Sequence, residues 1–412
     1  MPQYTAIDTL AGIGDGRSIA ALLPIMGVIL IAFLVIGLAL PVLPLHVHQG
    51  LGLGTFVVGL VTGSQFAASL VSRIYSGRYA DTHGSKRAVV TGLLTAVAGG
   101  LLYLASVPFA GTPSLSAAIL LGGRALLGAA ESFVIMGAVS WGLALGGRAN
   151  TGRVIAWTGM AMFAALAFGA PLGVTLYASG GFIAIAVVTA VMPLLAVLTV
   201  AWLPSTPTQQ ASQTGLMKVL AQVWLPGIGA AFSTVGFGSM IAFSSLLSTE
   251  RAWSPVWLTF SVFAAALVVA RLFFGHAPDK LGGAKVAFVC AFLEAAGLAM
   301  ICFASGAVMA AAGAALTGFG YSLIYPGFGV EAVERTSPEN RGLAMGAYTV
   351  FLDVALGIGS PALGLLAGWK GLGSVFIVSA AIVLCAAGIA AKLLRNVSCE
   401  IARNLKPNRR SS

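Results

Sequence analysis

The residues of this sequence that could do chemistry are charged side chains embedded in long apolar stretches. Arg124 lies about nine residues inside the stretch 115–138, close to mid-membrane if that stretch spans a bilayer. Glu131 follows by seven residues, or about two helical turns, so both side chains share one helix face and form a polar stripe toward the interior. Asp353 lies about eleven residues inside the stretch 342–368, and a buried carboxylate there is easily protonated. Asp353 can therefore carry a proton or meet a cationic molecule.

These buried charges also have a purely structural interpretation. A charge at the bilayer centre costs on the order of 2.5–3.5 kcal/mol on insertion scales, so each needs a compensating reason. Arg124 and Glu131 could form a structural ion pair that ties helices together. Glu294, in the stretch 285–304, is a further embedded acid to which the sequence assigns no role.

Membrane-spanning helices must position these side chains. Of the 412 residues, 58% are hydrophobic and 8% are charged, with a mean hydropathy of +0.97, against roughly 25% charged residues in soluble domains. Crossing a ~30 Å hydrocarbon core takes about 20 apolar residues, whose backbone must be hydrogen-bonded within a helix. We predict an all-α membrane protein with twelve transmembrane helices, at residues 19–45, 55–76, 88–107, 115–138, 154–177, 182–202, 219–247, 256–274, 285–304, 307–330, 342–368 and 374–394.

A charged, glycine-bearing run, GRYADTHGSKR, lies between the second and third stretches. Gly77 and Gly84 favour a tight chain reversal, because neither carries a Cβ. Asp81 can accept hydrogen bonds from the open N–H groups of a nearby helix start. Three cations suit an anionic membrane face: Arg78, Lys86 and Arg87.

The run resembles the signature loop between helices 2 and 3 of the major facilitator superfamily, G-x-x-x-D-x-x-G-x-(K/R)-(K/R). The resemblance implies a transporter of twelve helices in two pseudo-symmetric six-helix bundles, without enzymatic activity. Arg124 and Gly128 also resemble the R-x-x-x-G element of helix 4 in proton-coupled members. That likeness implies that Arg124 influences the proton affinity of a nearby acid, for which Glu131 is our candidate.

The sequence contains an internal duplication around a polar linker. We expect an N-terminal bundle (1–202), a linker (203–218), a C-terminal bundle (219–396) and a basic tail (397–412). Parallel repeats of this kind place the cargo near the bilayer midplane between the halves. Two groups of residues in the first half recur in the second. Arg73, Gly77, Asp81 and Gly84 recur 198 positions later as Arg271, Gly275, Asp279 and Gly282, with Lys285 one place later than this offset predicts. Gly128, Gly137, Gly169 and Pro171 recur 190 positions later as Gly318, Gly327, Gly359 and Pro361.

Glycine and proline cluster in the fifth and eleventh stretches, where they favour bending and close helix approach. The candidates are Gly169, Pro171, Gly173, Gly359 and Pro361. The run GAPLG resembles the helix 5 signature of the exporting branch, the arabinose-efflux and drug:proton antiporter-like members. The first stretch has no acid, so proton coupling would depend on Glu131 or Asp353.

Two further groups of residues follow from the family resemblance, a cavity and an inner gate. The cavity residues could instead be ordinary packing aromatics. The cavity candidates are Gln65, Phe237, Tyr321, Ser322, Tyr325 and Tyr348. The gating candidates are Arg73, Gly77, Arg78, Asp81, Gly84, Lys86, Arg87, Arg271, Gly275, Asp279, Gly282 and Lys285, with Glu331, Glu334 and Arg335 as a latch toward Arg271 or Arg341.

No metal or cofactor site is predicted. His46 and His48 could bind a metal or sense pH, but interfacial histidines at a helix end are the simpler interpretation. The four cysteines have no paired spacing, which argues against disulfides and metal clusters. No nucleotide-binding loop is found, so ATP-driven transport is not supported.

The formal net charge of +10 reflects membrane topology rather than nucleic-acid binding. Apart from Arg124, Arg251 and Lys370, we place the Lys and Arg residues on one face, which puts both termini in the cytoplasm. We therefore expect a monomeric, multi-pass transporter of a bacterial cytoplasmic (inner) membrane, which binds a small-molecule substrate, protons and the lipid bilayer. Proton-coupled export is the leading hypothesis. The alternatives are a symporter that imports a sugar or organic anion and a non-transporting sensor or lipid-handling protein.

Overall fold

The structure is a computed structural model that describes residues 8–146, 151–203, 205, 216–336 and 341–404. Helices and short turns account for these residues, and no strand occurs among them. The chain divides into two compact units, Met1–Ser212 and Gln213–Ser412.

Six helical segments form the first unit. They are α1 (Asp8–Leu45), α2 (Thr55–His83), α3 (Ser85–Ser106), α4 (Pro113–Gly146) and two arms of the element Thr151–Ala201. A π-helix at His46–Gly50 continues α1, and a 3-10 turn at Val107–Phe109 follows α3. The element Thr151–Ala201 would be ~75 Å long as one straight helix, far more than a bilayer. It breaks at Gly181, where φ is 62° and ψ is −164°, and gives α5 (151–180) and α6 (182–201). Residues of both arms, Thr175 and Val188 among them, line one shallow cleft against α1, so the chain turns back at the break.

The second unit repeats this plan with a short extra helix, Ala277–Leu281, after its second long segment. Its long helices are α7 (Leu216–Glu250), α8 (Leu258–Phe274), α9 (Gly283–Cys302), α10 (Ala307–Glu334), α11 (Arg341–Lys370) and α12 (Leu372–Asn404).

The prediction of twelve membrane-spanning segments is confirmed for the part of the chain that the structure describes. Ten helices are long and apolar enough to cross a membrane, and one of them, Trp157–Ala201, contains the break at Gly181. Leu258–Phe274 is a shorter apolar helix. Counting the two arms of the broken helix separately and adding the shorter one gives twelve segments.

The polar run between the second and third segments is more helical than predicted. Helix α2 continues to His83, so Gly77 and Asp81 lie within it, and only Gly84 leaves the helix, with φ 92°. The expectation that Gly77 shapes the reversal is wrong, because a single residue of positive φ suffices. Gly282 makes the corresponding turn in the second unit with φ 93°. Gly275 caps α8 with an ordinary φ of −57°.

The duplication predicted from sequence recurs as matching contacts within each unit. Glycines at helix crossings bring a neighbouring backbone so close that a Cβ would collide with it, as is common between membrane helices. The same crossings occur in both units at offsets of 198 and 190 residues. Gly128 faces the Gln65 carbonyl in the first unit, as Gly318 faces the Phe263 carbonyl in the second. Gly99 faces Gly123, as Gly297 faces Gly313. Gly137 faces Ser85, as Gly327 faces Gly283. Helices α2, α3 and α4 therefore pack as α8, α9 and α10 do.

Candidate functional site

A row of polar side chains crosses the contact between α2 and α4; we call it the polar seam and define it as Gln65, Ser69, Arg73, Glu131 and Ser132. Gln65 Nε2 donates a hydrogen bond to Glu131 Oε2 at 2.7 Å. The hydroxyls of Ser69 and Ser132 lie 2.9 Å apart, and Ser132 Oγ also donates to the Ser69 carbonyl at 3.1 Å. Arg73 Nη2 donates to Ser69 Oγ at 3.3 Å. The α2 members are spaced four residues apart, so they line one helix face.

A glycine allows the seam to close. A Cβ at Gly128 would lie 1.9 Å from the Gln65 carbonyl oxygen, so any larger residue would push α4 off α2. Gly128 stands one turn before Glu131 and Ser132. The glycine of the R-x-x-x-G element therefore holds the Glu131 carboxylate within reach of the Gln65 amide.

Arg124 is completely buried in the first unit, with 0% of its surface exposed. None of its three guanidinium nitrogens has a hydrogen-bond partner among the described residues. The Tyr103 hydroxyl of α3 lies beside the guanidinium, but without the geometry of a hydrogen bond. The predicted inward orientation of Arg124 is thus found, whereas the predicted alternative of a closed ion pair with Glu131 is not.

The Glu131 carboxylate lies in the electrostatic field of Arg73 and Arg124. It borders a small cavity with Phe33 of α1 and Ala96 of α3. The cavity offers about 10 Å³ to the centre of a water molecule, which is room for about one water. A buried acid with one amide donor, two cations nearby and space for water can exchange a proton, and an unbonded buried guanidinium attracts an anion.

The equivalent contact in the second unit lacks the acid. Ser322 Oγ donates to the Leu267 carbonyl at 2.8 Å, which repeats the bond from Ser132 to Ser69. By the same offsets, Tyr321 stands where Glu131 stands in the first unit, and Phe263 stands in place of Gln65. At this contact the first unit therefore has a carboxyl group, whereas the second unit has aromatic rings. The Ser322 hydroxyl, a predicted cavity group, is fully buried and used for packing.

The other predicted cavity residues of the second unit form an aromatic cluster. Phe237 and Tyr321 stack with ring centroids 4.7 Å apart. Tyr348 donates its hydroxyl to the Tyr325 carbonyl at 2.7 Å. Arg271 lies 5.7 Å over the Tyr325 ring, an arrangement typical of a cation–π contact. Arg271 therefore joins α8 to α10 within this cluster.

Asp353 is 5% exposed and lies on α11, which packs against α7 and α12. It is not a member of the polar seam. The two predicted proton carriers, Glu131 and Asp353, therefore occupy different environments, one in each unit.

The gating candidates divide into bonded and exposed residues. Lys86 Nζ donates to the carbonyls of Ala201 and Leu203 at 2.8 and 2.7 Å, which ties the start of α3 to the end of α6. The exposed ones are Arg78, Arg87, Asp279 and Lys285. Asp81 accepts no hydrogen bond from the described residues, so the predicted bond to a helix start is not found, and partial burial raises the pKa of its carboxyl.

The acids at the end of α10 act locally. Glu331 Oε1 accepts the backbone N–H of Ala284 at 3.0 Å, and Glu331 lies 4.0 Å from Arg335 one turn on. Arg271 instead donates to the Ser322 carbonyl at 3.0 Å. In this structure Glu331 thus bonds to α9 and to its own helix, and the latch toward Arg271 or Arg341 stays a prediction; the side chain of Arg341 lies outside the described residues.

The glycines of α5 bring it close to α1, which is the predicted close approach, but they do not break the helix. A Cβ at Gly173 would lie 2.1 Å from the Leu38 carbonyl oxygen, and one at Gly169 would lie 2.7 Å from Gly37. Pro171 stays within the helical arm, and Gly181 alone breaks the element. In α11, Pro361 is likewise inside the helix, and Gly359 has only an ordinary contact, 3.9 Å from Val235.

The two histidines after α1 make different contacts. The His46 ring stacks on Phe182 with centroids 4.0 Å apart, and His48 Nδ1 lies 2.8 Å from the Leu53 carbonyl. Among the described residues, no group of three or more possible metal ligands occurs. The packing interpretation fits His46 best.

Sequence reasoning missed three partners of the site: Ser69, Ser132 and Tyr103. The four-residue spacing of Gln65, Ser69 and Arg73 is a usable signal for the seam, since it marks one polar face on an apolar helix. Tyr103 carried no such signal.

Comparisons with known proteins place this fold in a large family. The sequence model of the Major Facilitator Superfamily matches residues 25–276 and 227–409. The uncharacterized MFS-type transporter STM4428 of Salmonella typhimurium is 40% identical over 363 residues, which cover 88% of this chain and 94% of that protein. The uncharacterized MFS-type transporter YhhS of Escherichia coli (strain K12) is 37% identical over 352 residues, covering 85% and 87%.

Solved structures of transporters have the same fold. A point-mutant form of the nucleoside transporter NupG gives a TM-score of 0.76 at 13% identity, with 90% of this chain and 99% of that chain covered. A bacterial homolog to the human lysosomal transporter Spinster, in an inward-facing and occupied conformation, gives 0.74 at 14% identity, with 92% and 97% covered. At these identities the likeness extends to the fold and not to the substrate.

Proposed function

Because this chain belongs to the major facilitator superfamily, and is thus a multi-pass membrane transporter and not an enzyme, we propose that it exports a small organic molecule in exchange for protons. The observation that carries this proposal is the polar seam, in which one titratable carboxyl, Glu131, lies between a bonded amide and two cations. Its place is the bacterial cytoplasmic membrane, with both termini inside and the chain acting as a monomer.

Proton coupling follows from the charge balance of the seam. As a carboxylate, Glu131 offsets part of the positive charge of Arg73 and Arg124, and it accepts the Gln65 hydrogen bond. Protonation of Glu131 removes its negative charge, so the positive charges of Arg73 and Arg124 repel each other in a low-dielectric interior. The packing of α4 on α2 then becomes less favourable relative to a more open arrangement. Transport results only if proton and cargo bind the alternating states unequally.

The cargo contacts in this proposal come from the aromatic cluster. Phe237, Tyr321, Tyr325 and Tyr348 present broad apolar faces with hydroxyl groups at their edges, which suits a mixed apolar and polar molecule. The helix 5 run Gly169–Gly173, whose likeness is to the exporting branch, supports export over import. Asp353 is the second candidate for a proton or for a cationic part of the cargo.

Import of an organic anion with protons is the second candidate, and Arg124 favours it. The buried Arg124 guanidinium has no hydrogen-bond partner among the described residues, and an anionic cargo would supply one together with a counter-charge. Under that mechanism Arg124→Gln would abolish binding of the anion. Under proton exchange it would leave cargo binding intact and shift its pH dependence.

The test is counterflow in proteoliposomes with a broad panel of metabolites and drugs, and with a pH-sensitive dye inside. Exchange predicts that protons leave the lumen as cargo enters it, and that inverted membrane vesicles accumulate cargo when their lumen is acidic. Symport predicts that cargo and protons move in the same direction. Cargo flux without any change in luminal pH would contradict both.

A further inference from the structure

The second unit contains its own fully buried acid, Glu294, in the middle of α9. Its side chain is 0% exposed. Ser233 Oγ of α7 donates a hydrogen bond to Glu294 Oε2 at 2.5 Å, and Oε1 has no hydrogen-bond partner among the described residues. A carboxyl with one bonded and one unbonded oxygen, both out of solvent, has a vacant place for a proton on Oε1.

Two glycines form the slot that holds this carboxyl. A Cβ at Gly236 of α7 would lie 2.5 Å from Glu294 Oε1, and one at Gly320 of α10 would lie 2.7 Å from the Glu294 backbone nitrogen. The position equivalent to Gly320 in the first unit is Ala130, and that equivalent to Glu294 is Ala96. The slot is thus particular to the second unit.

No basic side chain among the described residues pairs with Glu294. The titratable groups that feel its charge are Tyr321 of α10 and Cys290 of α9 itself, and neither is a cation. The facing residues of α7, Ser233 and Thr234, do not titrate. Where the structure describes the side chains of α7 and α12, their charged and titratable groups lie at helix ends or on exposed faces: Glu250, Cys385, Lys392 and Arg395. A carboxylate in this slot would have no counter-charge, so the neutral acid is the form that fits it.

We propose that Glu294 is a second proton-binding site, which holds a proton in the packed arrangement and releases it to water when α7 moves off α9 and α10. Release breaks the O–H bond at Oε1, leaves the carboxylate, and passes the proton to a water molecule that enters the slot. This inference rests on the proposed proton coupling of transport. It adds Glu294 of α9 to the candidate proton carriers Glu131 of α4 and Asp353 of α11.

The aromatic cluster provides the link to cargo. Phe237 lies one helical turn after Ser233 on α7, and its ring stacks on Tyr321, the residue next to Gly320. A molecule that separates Phe237 from Tyr321 must shift α7 against α10. The same shift withdraws Ser233 and Gly236 from the Glu294 carboxyl and opens the slot.

The direct test is infrared spectroscopy of the protein in lipid, with the spectrum of each variant subtracted from that of the wild type at the same pH, because a protonated carboxylic acid has a carbonyl band that a carboxylate lacks. Glu294→Gln should remove one carboxyl's share of that band, whereas Glu250→Gln, which changes an exposed acid of α7, should not. Ser233→Ala should keep the band but alter its position, since a hydrogen bond on the carboxyl is lost. A carbonyl band of unchanged size in Glu294→Gln overturns the proposal. If that variant does not fold, Glu294→Asp replaces it in the test, and it must retain the band at an altered position.

Transport measurements separate this inference from the proposed function. If wild-type flux is driven by a proton gradient, Glu294→Gln should reduce gradient-driven flux at least tenfold and flatten its pH profile. Gradient-driven flux and a pH profile like those of the wild type would overturn the role of Glu294 and leave proton exchange standing. Wild-type flux that ignores the gradient, with the Glu294 band present, would overturn proton exchange and leave Glu294 as a proton-binding site.

Discussion

Replacing Gly128 with alanine should force α4 away from α2 and open the polar seam. The new Cβ would lie 1.9 Å from the Gln65 carbonyl oxygen, while ordinary Cβ contacts begin at 3.4 Å. The helices must therefore part by roughly 1.5 Å, because close-packed backbones have little room to yield. The hydrogen bond between Gln65 and Glu131, now 2.7 Å, would stretch beyond ~4 Å and be lost.

The expected cost combines two effects. Overpacking costs about 1–3 kcal/mol, and loss of a hydrogen bond to a charged group costs about 1.5–3 kcal/mol. Gly128→Ala should therefore destabilise the protein by roughly 3–5 kcal/mol, which lowers Tm by about 10 °C for a unit of this size.

The assay is thermal unfolding of purified protein in detergent, followed by tryptophan fluorescence at one fixed scan rate. The matched control is Gly77→Ala in α2, the helix that faces α4, where the nearest atom is Met136 Sδ at an ordinary 3.9 Å. Alanine is favoured over glycine within a helix by about 0.5–1 kcal/mol, so the control should unfold at the wild-type temperature or above it. A Gly128→Ala protein as stable as the wild type would refute the close crossing, and an equal fall in both variants would point to a general sensitivity of α2 and α4.

Four further substitutions test other parts of the fold. Lys86→Met removes both hydrogen bonds that end α6, so amide exchange at residues 201–203 should accelerate about tenfold; Arg87→Met, at an exposed neighbour, should leave it unchanged. Gly84→Ala and Gly282→Ala place a Cβ at φ 92° and 93°, so each should cost about 1–3 kcal/mol and lower Tm by several degrees. Partial burial raises the pKa of Asp81 in the folded protein, so the folded state favours the neutral acid. The resulting contribution to the free energy of unfolding is fully present below the ordinary pKa of Asp81 and is lost as the pH rises through the raised value. Asp81→Asn should therefore match the wild-type Tm at about pH 4 and exceed it at about pH 8.

The helices and the buried arginine were predictable because each follows from a local rule. Apolar runs of bilayer length specify spanning helices, and the offsets of 198 and 190 residues revealed the duplication that the glycine crossings repeat. The reversal after α2 was only half predicted. Both Gly77 and Gly84 permit a turn, and residue type alone does not say which of them adopts a positive φ.

Cross-helix partners were the main omission. Ser69, Ser132 and Ser233 are small polar residues that occur in membrane helices for many reasons, and their roles depend on how each helix is rotated about its axis. Rotation is set by the packing of all neighbours at once, which one helix's sequence does not contain. Glu294 stayed unexplained in the sequence for the same reason, since Ser233 lies 61 residues away on another helix.

The proposed proton coupling depends most on Glu131 as a proton carrier in the polar seam. The most direct measurement compares, in the same proteoliposomes, cargo exchange at equal pH with cargo accumulation driven by a pH gradient. Glu131→Gln should keep the exchange and lose the accumulation, Asp353→Asn should show whether a second carboxyl contributes, and Glu250→Gln, at an exposed acid, should behave as the wild type. Accumulation by Glu131→Gln at the wild-type level would contradict the account.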